Sequence, residues 1–280
     1  MIDSVFQLLF RYEKPLSQKQ IGLTLGNPKG VTDLLYALKQ DERFIALENE
    51  HWRAASMQDL VEDQSLREVE FLITDLETTG PMKGKDRIID IAAVKLKGGK
   101  EIDRFESLVN PEQAISNTIY RLTGISNQMV ANEATIDEVL PSYLEFASGG
   151  VFVAHNALFD FSFISHEIRR LELEPLHKKV EICTFRMARK LLPDLRACGV
   201  NGLCEHFGYE MTERHRAMPD VEATSFFLQR FLEDLEQRGV TTLYELIQFQ
   251  KEVLSDQDVN KKIKRYKKKM DYRNKGRDDR

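Results

Sequence analysis

The run FLITDLE (71–77) constrains this chain more than any other segment. It begins apolar enough to form a buried strand. Side chains alternate along a strand, so Phe71, Ile73, Asp75 and Glu77 share one face. Two carboxylates roughly 6–7 Å apart on a strand face repel each other unless cations sit between them. Acids exposed at a strand end are the plainer alternative. The pattern D-x-E also occurs at Asp220/Glu222 and Asp234/Glu236. The last pair falls late in an amphipathic helical stretch and reads as a solvated face.

The segments around this run set the architecture. RIIDIAAVKLKGGKEIDRFESLVNP predicts two more strands joined at Lys97-Gly-Gly-Lys100, a hairpin turn signal. Helices are expected over 116–130 and 135–148, the second opening on the capping box Thr135-x-x-Glu138, with Pro141 either kinking it or lying near its first turn. VFVAHN (151–156) is a further strand, leading into a helix from about Asp160 to Leu173. Cys183 to Leu192 and Gly202 to Phe207 read as helical. A last long helix starts near Pro219, with Asp220 standing at the edge of the sheet. A strand hairpin followed by β and α elements implies an α/β fold, a mixed sheet with helices on its faces.

The flanks differ in texture. Residues 1–56 predict a small α+β unit: a helix through Val5, Leu8, Leu9 and Tyr12, a second after Ser17 as N-cap, a third over Val31 to Lys39, then strands at Phe44–Leu47 and His51–Arg53. That order resembles a winged-helix domain in architecture alone. Residues 57–69 are polar and read as a linker, 70–238 as the main domain, 239–260 as a C-terminal helix and 261–280 as a disordered basic tail. The net charge of −5 divides into −1 over 1–60, −12 over 61–260 and +8 over 261–280. An acidic middle suits a nucleic-acid binder only if some of those acids hold cations. The tail serves either as a solvating appendage or as a nucleic-acid tether. No stretch approaches the roughly 20 apolar residues of a membrane span, and MIDSVFQLLFRYEKP has no signal-peptide pattern. Cys183, Cys198 and Cys204 lack zinc-site spacing and are expected to be free thiols in a reducing cytoplasm.

Three further motifs carry chemistry. Thr78-Thr79-Gly80 follows Glu77, where a sharp turn can offer backbone N–H groups and a hydroxyl to a ligand. AHNALFD places Asp160 just beyond a strand. HRAMPD sets His215 five residues before Asp220. Four acids gathered in an acidic segment make a Mg²⁺ or Mn²⁺ site, because hard cations select carboxylate oxygens. His155 and Asp160 repeat the H-x4-D spacing of His215 and Asp220. His155 ends an apolar strand and should be held rigidly, whereas His215 lies in a polar stretch and is free to swing. His51, His166, His177 and His206 read as surface or packing residues.

FLITDLETTG, AHNALFD and HRAMPD, in this order and at these separations, resemble the DEDDh exonucleases, a family that includes the proofreading subunit of bacterial replicative polymerases. IYRLTGIS and RMARKLLPDL…GLCEHFG resemble its connecting segments, so the likeness covers about residues 68–236. It implies a ribonuclease H-like fold and 3′→5′ hydrolysis of nucleic acid. It also implies Asp75, Glu77 and Asp220 on one metal ion, Asp75 and Asp160 on a second, and His215 as general base. Thr78, Thr79, Gly80 and Asn156 fall where members of the family hold the terminal nucleotide. The expected substrate is a single-stranded 3′ end, DNA ahead of RNA, and a DNA polymerase is the partner the likeness suggests. The alternatives are RNA or oligoribonucleotide trimming, and a winged-helix regulator carrying an inactive nuclease fold.

Overall fold

The computed structural model describes residues 2–26, 38–41, 43–56, 63–174, 181–211, 215–251 and 258–264. Residues 31–37 of the helix expected over Val31 to Lys39, residues 57–62 of the expected linker, His177, residues 252–257 of the expected C-terminal helix and the tail from 265 onward lie outside these residues. The chain divides into two units, one made of residues up to 62 together with those from 251, the other of Asp63–Gln250.

In the first unit, α1 (Ile2–Tyr12) buries Val5, Phe6, Leu8 and Leu9 at helical spacing. A two-residue strand, β1 (Leu16–Ser17), precedes α2 (Gln18–Leu25). Ser17 and Gln20 cap that helix reciprocally: Ser17 N–H donates to Gln20 Oε1 at 2.8 Å, and Gln20 N–H donates to Ser17 Oγ at 3.3 Å. β2 (Phe44–Ala46) and β3 (His51–Ala54) pair antiparallel, and β1 pairs with β3, giving the order β1-β3-β2. Strand β1 is too short to have left a periodic signal. Lys251 forms an ion pair with Glu13 at 2.6 Å and lies over the Phe10 ring, while Val259 is buried. The chain from 251 thus belongs to this unit, which corrects the continuous helix expected over 239–260. Residues 258–264 are helical, so the expected disorder fails at 261–264.

The second unit is a five-stranded mixed sheet of order β6-β5-β4-β7-β8, formed by β4 (Glu70–Thr78), β5 (Ile88–Lys97), β6 (Lys100–Leu108), β7 (Val151–Ala154) and β8 (Glu181–Cys183). β4, β5 and β6 are antiparallel neighbours, whereas β7 runs parallel to β4 and β8 parallel to β7. The C-terminal ends of β4 and β7 therefore open on the same edge. The helices are α3 (Asn117–Thr123), α4 (Asn127–Val130), α5 (Ile136–Ala147), α6 (Leu158–Arg170), α7 (Thr184–Leu191), α8 (Val200–Phe207), α9 (Ala217–Gln237) and α10 (Leu243–Gln250). Leu72 and Leu76 pack with Leu140, Tyr143, Phe161 and Ile164 of α5 and α6 on one face. Thr74 shares that face through a 2.8 Å hydrogen bond between its hydroxyl and that of Tyr143. Asp75 and Glu77 alternate to the other face, and α9 packs against β4 and β5.

Three expectations change. The helix expected over 116–130 is broken between α3 and α4 at Gly124, whose φ of 72° ends α3 in the left-handed region that glycine tolerates. Cys183 lies in β8, a three-residue strand, and not in a helix. Residues 63–69 are no linker: Leu66 and Val69 are buried, and Leu66 N–H donates to the Thr241 carbonyl at 2.9 Å. Pro141 lies well inside α5, whose capping box holds, with Thr135 N–H donating to Glu138 Oε2 at 2.9 Å.

Candidate active site

Asp75 and Glu77 leave β4 on the face that α9 covers, and Asp220 reaches the same place from the first turn of α9. Carboxylate oxygens of the three lie within 4.8 Å of one another. Asp220 was expected at the sheet's edge. It is only 8% exposed, because its helix packs on the face of the sheet against β4 and β5. Asp160, 3% exposed, sits in the first turn of α6, where the chain re-enters after β7.

Electrostatics tie Asp160 to the other three. Burial raises the Asp75 carboxyl well above the usual range. The charges that raise it further are all carboxylates: Asp160 first, then Asp220, Glu77 and Asp90. Burial, followed by the charges of Asp220, Asp90 and Asp160, pushes Glu77 up to about 8, with Arg216 opposing. Burial likewise raises Asp160, against hydrogen bonds from its own and the Leu76 backbone, and raises Asp220, against the nearby His215. Mutually repelling acids in a largely buried site call for positive charge. An all-oxygen donor set fits hard divalent cations such as Mg²⁺ or Mn²⁺.

The two histidines that share the H-x4-D spacing differ in setting. His155 follows β7, with Nδ1 3.0 Å from Thr184 Oγ1 and its ring edge-on to Phe185. Burial lowers its pKa to about 4, against a smaller opposing effect of the Cys198 backbone. His215 is exposed, one residue before the N-cap of α9, and has a φ of 57°.

The Thr78-Thr79-Gly80 turn is closed on itself. The Thr78 hydroxyl is buried and donates to the Gly80 carbonyl at 2.8 Å. Thr79 Oγ1 accepts from Arg87 N–H at 2.9 Å and from the Gln113 amide. A Cβ on Gly80 would lie 2.6 Å from Asp86 Oδ2, so any other residue here would displace the Asp86 carboxylate. Asn156 is exposed at a φ of 70° beside the end of β7. One residue escaped the motif reading. Asp90 stands opposite Glu77 on β5 with no exposure, and its Oδ2 accepts from Arg216 Nε at 3.1 Å. The signal was an acid inside the apolar run RIIDIAAV.

Residues 72–225, a span that holds all of these groups, match the exonuclease (RNase_T) family model. A protein named DNA polymerase III PolC-type from Oceanobacillus iheyensis is 40% identical over 184 residues, 66% of this chain and 13% of that protein. The chain thus spans about an eighth of the length of this curated relative. Among solved structures, exonuclease X in complex with 5′ overhanging duplex DNA aligns with a TM-score of 0.51 at 26% identity, covering 64% of this chain and 99% of that one. E. coli exonuclease I in complex with a dT13 oligonucleotide aligns with a TM-score of 0.54 at 19% identity, over 61% of this chain and 42% of that one, a likeness of fold. The mixed sheet flanked by helices is the ribonuclease H-like fold that these exonucleases share. No helix among the described residues is long and apolar enough to cross a membrane. With the sheet, the carboxylate cluster and the family model in agreement over one span, the chain belongs to the exonuclease (RNase_T) family.

Proposed function

We propose that this exonuclease hydrolyses the terminal phosphodiester of DNA from the 3′ end and releases nucleoside 5′-monophosphates. The observation that carries this reading is the convergence of Asp75, Glu77 and Asp220 oxygens within 4.8 Å, with Asp160 acting on Asp75 more strongly than any other charge. Asp75, Glu77 and Asp220 would hold one divalent ion, and Asp75 with Asp160 a second, Mg²⁺ or Mn²⁺ in each case. Such ions, when bound, supply Lewis acidity and charge compensation at a phosphoryl centre. His215 is the general base: it is exposed and stands just before the helix that carries Asp220, where its imidazole can take the proton of the attacking water. His155 is unsuited, because burial disfavours the protonated ring that a base must become and Thr184 fixes that ring in place.

The remaining residues position substrate. Thr79 Oγ1 accepts two hydrogen bonds within the protein, so its own O–H is the donor left for a ligand. Thr78 and Gly80 shape the turn that presents it, and exposed Asn156 borders the same edge of the sheet. A 3′ end of DNA is favoured over RNA because the solved relative at 26% identity is named in complex with duplex DNA. The PolC-type name of the relative at 40% identity supports a DNA polymerase as partner. The antiparallel three-stranded sheet with α1 and α2 supports a winged-helix-like reading of the N-terminal unit. Cys183, Cys198 and Cys204 are buried and form no disulfide, which supports a reducing, cytoplasmic setting.

The test is a degradation assay with end-labelled single- and double-stranded DNA and RNA, with Mg²⁺, Mn²⁺ or EDTA. Metal-dependent release of mononucleotides from the 3′ end of DNA is expected. A preference for RNA would move the substrate assignment, and activity in EDTA would remove the metal reading.

A further inference from the structure

Asp90 is a buried acid that the four-carboxylate site does not use. It sits on β5 directly across from Glu77, at 0% exposure. Its Oδ2 accepts two hydrogen bonds, from Arg216 Nε at 3.1 Å and from the Ala217 backbone N–H at 3.3 Å. Arg216 is the N-cap of α9 and makes no side-chain cap of its own, so Asp90 supplies that cap from a strand 126 residues away in sequence. The Arg216 carbonyl in turn accepts the Asp220 N–H at 3.1 Å.

What lies immediately before this clamp matters most. His215 has a φ of 57°, a left-handed conformation uncommon for residues other than glycine and stable only where neighbours impose it. The residue that follows is held by Asp90, and the first turn of the helix is held by the same oxygen. An ion pair serving only to neutralise a buried charge could lie anywhere along β5. This one joins the strand position opposite Glu77 to the backbone that leads out of His215.

We propose that Asp90 is a positioning residue for His215: by gripping Arg216 and capping Ala217 it fixes the turn that aims the imidazole at the carboxylate cluster. The proposal rests on His215 being the general base.

The test compares Asp90→Asn, Arg216→Gln, His215→Ala and the Asp90→Asn/His215→Ala double variant in the full chain. Asp90→Asn and Arg216→Gln should each lower kcat by roughly tenfold to a hundredfold, the scale of a misplaced catalytic group, with KM nearly unchanged. In the His215→Ala background Asp90→Asn should cost less than about twofold further, because residues acting through one another are not additive. In the metal-free protein, NMR of the histidine rings should show the His215 signals moving in both single variants while those of His155 stay. Mn²⁺ affinity measured by calorimetry should stay close to wild type. Should Asp90→Asn not fold, Arg216→Gln alone and combined with His215→Ala carries the same comparison. A wild-type rate for His215→Ala overturns the base assignment and this proposal with it. A slow His215→Ala, with the Asp90→Asn loss persisting in full on top of it, overturns the proposal alone.

Discussion

His155 is tied to Thr184: its Nδ1 lies 3.0 Å from the hydroxyl of the first residue of α7, and that hydroxyl also lies 3.4 Å from the Ala154 carbonyl. The ring at the end of β7 is thus tied, through the Thr184 hydroxyl, to the backbone of its own strand, while His215 is exposed. His215→Ala should lower the single-turnover rate by roughly 10²–10⁴, as for a lost general base, and leave metal affinity unchanged. His155→Ala should act on stability or substrate position. The reverse pattern in purified, folded protein would move the base to His155.

Asp75 is raised by the charges of four neighbouring carboxylates, Asp160, Asp220, Glu77 and Asp90. Asp75→Asn removes a ligand expected to serve both ions, so turnover should fall by several orders of magnitude under saturating Mg²⁺. The fold should survive, since an uncharged amide relieves the repulsion from Asp160, Asp220 and Glu77. A variant keeping more than about a tenth of wild-type turnover would take Asp75 out of the site described by this two-ion scheme.

Polarity is a separate matter from metal binding. A strand labelled at its 5′ end should give a descending ladder as nucleotides leave from the 3′ end. Immediate release of the labelled 5′ nucleotide, or cutting of a circular single strand, would contradict the proposed direction.

The parts legible in sequence were those with strong local patterns. Alternation and apolar runs marked β4, β5 and β6, and the glycine pair marked their hairpin. The reciprocal cap between Thr135 and Glu138 marked the start of α5. The four acids were legible because each stands out from an apolar or turn context. What escaped were features decided by distant partners. β8 has three residues and exists because it pairs with β7. Residues 63–69 look polar, yet they are held by Thr241, Thr242 and Glu236. The break at Gly124 was signalled by the glycine itself, but one residue inside a helical pattern cannot separate a tolerated glycine from a terminator.

Gln250 shows how such distant partners close the sheet. It is 4% exposed at the end of α10, its Oε1 accepts the Cys183 N–H at 2.8 Å, and its amide donates to the Glu181 carbonyl. The side chain thus stands in for a neighbouring strand on the open edge of β8. Gln250→Ala leaves both backbone groups unpaired and should lower stability in urea denaturation by about 1–3 kcal/mol. Turnover of the folded fraction should stay near wild type, since Gln250 has no part in the proposed metal site. An unchanged unfolding midpoint would mean that water satisfies this edge equally well.

The last expectation follows from the protons that the metal-free site retains. Burial and neighbouring carboxylates push Glu77 up to about 8, and Asp75, Asp160 and Asp220 are also raised. In the unfolded chain these groups ionise near pH 4. Above that pH the folded protein binds more protons than the unfolded one, so its stability falls as pH rises, up to about 8 where Glu77 ionises in both states. His155 works in the other direction. Its folded pKa of about 4 makes protonation of the unfolded ring destabilising as pH falls below its ordinary value near 6.5. The two effects separate in the interval from about pH 6.5 to 8, where the carboxylates act alone of these groups. The Tm of EDTA-treated protein should therefore decline across that interval. Saturating Mg²⁺ should flatten the decline, because a bound cation favours the ionised carboxylates, and binding should release protons that calorimetry in buffers of different ionisation enthalpy can count. Asp75→Asn should weaken the decline without metal, since one repelling charge is gone. A metal-free Tm that rises or stays level between about pH 6.5 and 8 would mean that the four acids do not share one site in solution.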